Sequence, residues 1–437
     1  FMVPQLMKPL RAFRRKYAYV TAQPSGRAAV FFTFEGILYT LAFSMINNNN
    51  NLFAMRLGAS DLQISLLTTF SQITGLTFLI PGAILTDRLS DKRRMVTLAL
   101  LMLSVSYFLI GFTPFFGSYR YYAFLVLMSI SVCPLTLYNT SWQAYFSDVI
   151  PIEHRNRILS SRTAGTFLAG MAVSLVCGNL LAAFEGYDAK IRVHQSFFWT
   201  ASVLLIIQII VLNRIDHTGD GTRKAVKLSE IKDTIVGLSR NKLFLSFLGT
   251  SLFFHMTWQS DWTLYFLGQV RYLGLNEAWL SYVSIGGTLA QFLSVGLWRR
   301  VNDKMGVRFG IIFGNIGLAG CVASMLIATG VPASAGPVVF LVLNTLSNVT
   351  YPAVQMNLLQ CLLQVAPEKN KTLSISIYTM FITLSNAFMP MAGVAVYTAL
   401  GGDLSAYRTT FWIIFCLRII STGLWTLRWY LLRNEPK

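Results

Sequence analysis

The sequence is poor in charge and poorest in acid. Of 437 residues only 18 are Asp or Glu, against 36 Lys or Arg, and 12% are charged in all. A soluble domain carries about 25%, so a surface facing water on all sides is excluded. Histidine is scarce, with four copies, and no pair stands at metal-binding spacing. There is no Gly-x-x-x-x-Gly-Lys loop and no Cys–His constellation, so ATP-driven pumping and covalent catalysis lack their residues. No enzymatic activity, cofactor or metal is expected. The five cysteines (Cys133, Cys177, Cys321, Cys361, Cys416) all fall in apolar runs without a loop partner, so no disulfide is expected. The basic start lacks a short apolar core with a cleavage site, so no cleaved signal peptide is expected.

What is abundant is apolar sequence: 54% of residues are hydrophobic and the mean hydropathy is +0.54. Runs of about 20 apolar residues span a bilayer, and twelve are placed near 28–56, 60–86, 95–114, 121–149, 158–183, 195–213, 243–270, 277–298, 307–330, 335–365, 371–399 and 408–431. The chain reads as an all-α polytopic membrane protein. Its formal charge of +18 raises the question of nucleic acid, which the distribution of basic residues answers. Six of them (Arg56, Arg120, Lys190, Arg192, Arg271, Arg408) lie in one set of loops and Arg418 lies inside a span; the other 29 of the 36 lie in the termini and the alternate loops. That is the positive-inside pattern, with both termini cytoplasmic in a cell membrane. The lipid bilayer, not nucleic acid, is the expected partner.

The chain also repeats. Asp87-Arg88-Leu89-Ser90-Asp91-Lys92 reappears 216 residues on as Asp303-Lys304-Met305-Gly306-Val307-Arg308. Leu57-Gly58-Ala59-Ser60-Asp61 maps by the same offset onto Leu273-Gly274-Leu275-Asn276-Glu277, and Pro151 onto Pro367. Three loops sharing one ungapped offset mark a tandem duplication. The expected parts are a basic segment (1–27), a six-helix bundle (28–213), a linker (214–242) and a second bundle (243–437). In the linker Ile231, Ile235 and Leu238 follow Ser229 at helical spacing, which predicts a short surface helix; a plain solvated linker is the alternative.

Twelve spans, a six-plus-six repeat and a charged hairpin after the second span of each half resemble the major facilitator superfamily. That family's hairpin reads Gly-x-Leu-x-Asp-Arg-x-Gly-Arg-Arg. Leu85, Asp87, Arg88 and Lys92 fit it, Ala83 and Ser90 stand at its two glycine positions, and the second half supplies Asp303, Lys304, Gly306 and Arg308. The resemblance implies two pseudo-symmetric bundles that rock about a midplane site, with spans 1, 4, 7 and 10 around the cavity. It also implies that Asp87 and Arg88 latch the cytoplasmic mouth, where a carboxylate can bond a helix end; anchoring of topology is the plainer role. Asp148, Arg155 and Arg162 suit the same gate network. The fifth span has Gly165, Gly170 and Gly178 but no proline, and no arginine lies between Tyr121 and Phe146, unlike the family's drug–proton antiporters. The subfamily is therefore not assigned.

Intramembrane ionisable groups are costly and mark a cavity or a pair. Glu35 in span 1 is expected to couple protons or bind a cation; a structural carboxylate is the alternative. Tyr39, Ala42, Ile46 and Asn50 continue its face. Span 7 is densest: Phe254, Trp258, Asp261, Trp262 and Tyr265 share one face of one helix, with His255 and Gln259 beside them. Rings around a carboxylate suit an amphipathic or aromatic solute, although an interfacial aromatic belt has the same composition. Span 4 offers Tyr138, Asn139, Trp142 and Gln143, and span 10 offers Asn344, Asn348, Tyr351 and Gln355, at helical spacing. Amides do not face lipid unsatisfied, so these stripes are expected to bind substrate or a neighbouring helix. Asp261 and His255 join Glu35 as candidate proton carriers. Arg418 is expected to snorkel or pair structurally. The tract Asn47–Asn51 reads as an opened helix end or as a stretch foreign to the native chain.

The expected function is secondary transport of a small organic solute by a monomer, coupled to protons, with export slightly favoured. Uptake of a peptide, nucleoside or cell-wall fragment, lipid flipping, and non-transporting sensing remain alternatives.

Overall fold

The computed structural model describes residues 26–88, 91–215, 237–367 and 371–432. Most of the basic N-terminal segment and of the linker, including Ser229, Ile231 and Ile235, lies outside them. Among the described residues there is no strand.

The first half runs α1 (Gly26–Asn47), α2 (Asn50–Arg56), α3 (Asp61–Arg88), α4 (Lys92–Ile110), α5 (Arg120–Val149), α6 (Ile152–Ala183) and α7 (Tyr187–Leu212). The second runs α8 (Lys242–Gln259), α9 (Trp262–Leu267) with a π-helical turn (Gly268–Tyr272), α10 (Glu277–Met305), α11 (Val307–Ala328), α12 (Gly336–Asn348), α13 (Tyr351–Val365), α14 (Lys371–Ala399) and α15 (Leu404–Leu431). Three pairs, α1–α2, α8–α9 and α12–α13, are single spans with a break. Helix starts at Gly26, Asp61 and Arg120 recur 216 residues on at Lys242, Glu277 and Gly336. The turns ahead of Asp61 and Glu277 both need a glycine, since Gly58 and Gly274 hold φ of 90° and 61°. The duplication read in the loops is thus a duplication of helices.

Each break frees backbone carbonyls that the bilayer cannot solvate. Span 7, expected as one helix over 243–270, breaks at Ser260–Asp261. Ser260 turns its hydroxyl back onto the Met256 carbonyl at 2.6 Å. Arg418 takes the carbonyl of Trp258 at 3.3 Å, which in a continuous helix would accept from residue 262. In span 10 the break precedes Tyr351-Pro352, where proline offers no N–H, and Trp298 donates to the Val349 carbonyl at 2.7 Å. Span 1 breaks within the asparagine tract at Asn48–Asn49. Asn48 bonds Ser174 at 2.7 Å and Asn49 its own Met45 carbonyl at 2.9 Å.

The halves meet through α3 against α14 and α6 against α10. With twelve crossings, Gly26 and Leu431 mark one face, the terminal face. The bridging contacts between described side chains lie at the midplane or toward the opposite, far face. Glu277 pairs with Arg56 and with Lys190 at 2.6 Å. Arg271 grips Asp61 with two bonds of 2.7 and 2.8 Å. Closer to mid-depth, the Phe167 and Phe292 rings pack at a tilt of 41° with centroids 5.2 Å apart, and Thr69 donates to the Ala387 carbonyl at 2.6 Å. The molecule is clamped on its far side.

Candidate functional site

The break in span 7 places Asp261 at the head of α9, where it meets Arg418 of α15 at 2.7 Å. Both are buried, at 5% and 4% exposure. Arg418 also bonds the Leu318 carbonyl. Burying each charge costs several kcal/mol, which only a close partner and further hydrogen bonds offset. Arg418 therefore pairs; it does not snorkel.

This ion pair stands in the wall of a cavity of about 430 Å³. Of the substrate residues expected from sequence, Trp258, Trp262, Tyr265, Asn344, Asn348 and Tyr351 line it together with Asp261. Tyr265 donates to Asn344 Oδ1 at 2.7 Å, and Asn348 bonds the Asn344 carbonyl at 2.8 Å. The Trp258 and Tyr351 rings lie 5.7 Å apart, edge to face at 61°. Among the further lining residues that escaped the sequence reading, four carry an amide or a hydroxyl: Gln269, Ser284, Thr288 and Gln291. Three of them fall at i, i+4 and i+7 on apolar α10, a spacing that could have found them. Gln291 donates to Asn348 at 2.8 Å. Asn51, from the tract in the other half, closes the wall.

Other expected residues lie elsewhere. Phe254 packs with Leu318 and Val354. His255 is buried against the Phe254 and Trp258 rings, with no partner for Nδ1 among the described atoms. Gln259 is buried, and Gln355 bonds Tyr351 from an exposed position at 2.9 Å. None of the four is among the residues that line the cavity.

In the first half the residues gather around Glu35, which is 0% exposed. Its carboxylate accepts from Trp142 and Gln208, both at 2.8 Å, from Arg162 at 3.1 Å and from Tyr138 at 3.2 Å. Arg162, expected at the gate, lies here, 4.1 Å over the Trp142 ring. Tyr39 stacks on Tyr138 at 4.7 Å, while Asn139 and Gln143 are exposed. Asn50 buries an unpaired side-chain oxygen. By the 216-residue offset the Glu35–Arg162 contact corresponds to Ser251–Tyr378, which is also a bond, of 2.6 Å.

The remaining gate residues make contacts within their own half. Lys92, almost fully buried, pairs with Asp148 at 2.5 Å. Arg155 caps the Ile150 carbonyl at 2.9 Å, and Arg308 the Leu432 carbonyl at 2.6 Å. Asp303 and Lys304 are exposed in the last turn of α10. The side chains of Asp87 and Arg88 lie outside the described residues.

The family profile described as Major Facilitator Superfamily matches residues 32–362 and again 273–437. The chain belongs to that superfamily. No curated protein matches it. Among solved structures it is similar to the nucleoside transporter NupG, at 12% identity over 91% of this chain and 98% of that one, with a TM-score of 0.68. A transporter of the POT family in complex with 5-aminolevulinic acid matches at 13%, 94% and 97%, with a TM-score of 0.70. A bacterial homologue of the human lysosomal transporter Spinster, inward-facing and unoccupied, matches at 12%, 93% and 97%, with a TM-score of 0.67. At these identities the likeness is one of fold. This member of the superfamily is a multi-pass membrane protein with a transporter's architecture.

Proposed function

We propose that the protein is a secondary transporter that carries a small, ring-bearing organic solute through the Asp261–Arg418 cavity by alternating access. The observation that carries the proposal is the composition of that wall: a buried ion pair among Trp258, Trp262, Tyr265 and Tyr351, with amides from α10 and span 10. The rings supply burial and stacking, and a few placed polar groups fix orientation, as in small-molecule sites of 300–1,000 Å³.

Coupling to protons follows from the pair. Protonating Asp261 removes the charge that holds Arg418 and frees the guanidinium for an acceptor on the solute. Glu35 with Arg162 is a second such carboxylate, and His255 a third titratable group, beside Trp258. In the cycle the halves 28–213 and 243–437 rock, and the far-side contacts of Glu277 and Arg271 break as that side opens. With both termini in the cytoplasm of a cell, the far face is external.

Export is one direction. Uptake of a polar nutrient is the second, and the Gln269 amide favours it, since a lipophilic solute would leave it unpaired in the cavity wall. Thermal unfolding in detergent against nucleosides, sugars, peptides, amino acids, organic cations and lipophilic drugs tests the site. A ligand at 100 times its Kd adds about 2.7 kcal/mol. Loss of that shift in Trp258→Ala and Asp261→Asn supports the proposal, and a shift kept in both refutes the cavity assignment.

A further inference from the structure

Two smaller cavities adjoin the main one, and Ser284 of α10 lines all three. The first, about 200 Å³, runs past Gln269, Asn49 and Ser174. The second, about 260 Å³, lies where span 1, α6 and α10 cross. Its wall carries the hydroxyls of Thr40, Ser44, Thr166, Ser174, Ser284 and Thr288, and no charged side chain lines it.

The chemistry thus changes from end to end. The main chamber offers rings and an ion pair, while the chamber at the crossing offers hydroxyls. In the wall of the main cavity, the side chains of Asn51, Gln269, Ser284 and Thr288 bond no described residue. Three of them are half-buried and Ser284 is exposed, so all four are accessible to what enters the cavity. Asn51 comes from one half and the other three from the second.

We infer that the main cavity and the chamber at the crossing form one two-chambered site for an elongated solute: a ring seated by Trp258 and Tyr351, with an uncharged, polyhydroxylated extension reaching past Ser284 into the hydroxyl-lined chamber. An aryl glycoside has this form. A charged extension would meet no counter-ion there, and an apolar one would leave the hydroxyls unsatisfied. A polyol both donates and accepts at every carbon. The inference rests on the main cavity being the solute site.

Gly170 of α6 provides the test. Gly170 lines the chamber, and a Cβ there would meet Thr40 Cγ2 at 3.5 Å and Ser44 Oγ at 3.9 Å, ordinary contacts, so Gly170→Leu is the variant chosen to fill it. The purified protein is titrated calorimetrically with phenyl β-glucoside, phenol and methyl β-glucoside. The expected result is that wild type prefers phenyl glucoside to phenol by about tenfold or more, about 1.4 kcal/mol. Gly170→Leu removes that preference and leaves phenol within about twofold. Ser44→Ala, which adds no bulk and lies outside the main cavity's wall, lowers only the glucoside's affinity. Equal losses for both probes, no loss, or no binding by any probe overturns the inference. If phenol binding depends on Trp258 and the glucoside gains nothing, only the second chamber fails. If Trp258→Ala leaves every probe unchanged, the main-cavity assignment fails with it.

Discussion

Asp261 and Arg418, 157 positions apart in sequence, meet at 2.7 Å beside the break in span 7. The contact joins two tasks. Arg418 satisfies the carbonyls of Trp258 and Leu318, and the same pair supplies the charge in the cavity wall. Fold and site are coupled through one guanidinium.

Removing one partner therefore costs more than removing both. Asp261→Asn leaves Arg418 buried without its counter-charge and is expected to destabilise by about 3–5 kcal/mol. Asp261→Asn with Arg418→Met recovers most of that stability, because no lone charge remains, although ligand binding stays lost. Unfolding in detergent with and without ligand measures both effects.

Glu35 accepts four hydrogen bonds in a fully buried position. Glu35→Gln turns one acceptor into a donor facing donors and strips Arg162 of its partner. The expected loss is on the order of 3 kcal/mol, with flux that no longer responds to a pH gradient. Flux that keeps its full pH dependence contradicts a coupling role and leaves Glu35 as a structural carboxylate.

The far-side clamp has one strong and one weak element. Glu277 is nearly buried with Arg56, whereas Arg271 facing Asp61 has a side chain 48% exposed. An exposed pair contributes about 0–1 kcal/mol. Glu277→Gln is expected to speed the labelling of a cysteine at position 281, in a background without other cysteines, by an impermeant reagent on the far side. Asp61→Asn changes the rate much less. Equal rates for the two variants contradict this ranking.

Gly178 of α6 sets how closely the halves approach. A Cβ there would lie 2.7 Å from the Glu277 carbonyl oxygen and overlap the Ser281 side chain. Gly178→Val is expected to prevent far-side closure and abolish flux. Gly249→Ala, where a Cβ meets nothing within 4 Å, leaves flux intact.

Spans, repeat and family were legible because each rests on local pattern. Twenty-residue apolar runs, loops at a fixed offset and the Asp87 hairpin need no tertiary information. The opening of span 1 was legible too, since asparagine bonds its own backbone. The break in span 7 was not, because no proline marks it; a serine back-bond and an arginine from another helix support it. Trp258, Tyr265, Asn344 and Asn348 were found as stripes, whereas Gln269, Ser284, Thr288 and Gln291 were passed over, although the last three recur at helical spacing on one helix. Partners were least legible. Nothing in spacing says that Arg162 turns to Glu35 and away from the gate, or that Arg418 meets Asp261.

The most direct test of the central claim is counterflow in proteoliposomes, using a solute that stabilises the purified protein. The account predicts exchange by the wild type and its loss in both Trp258→Ala and Asp261→Asn, with each variant confirmed as folded. Exchange surviving both substitutions, or tight binding by the wild type with no exchange, would contradict it.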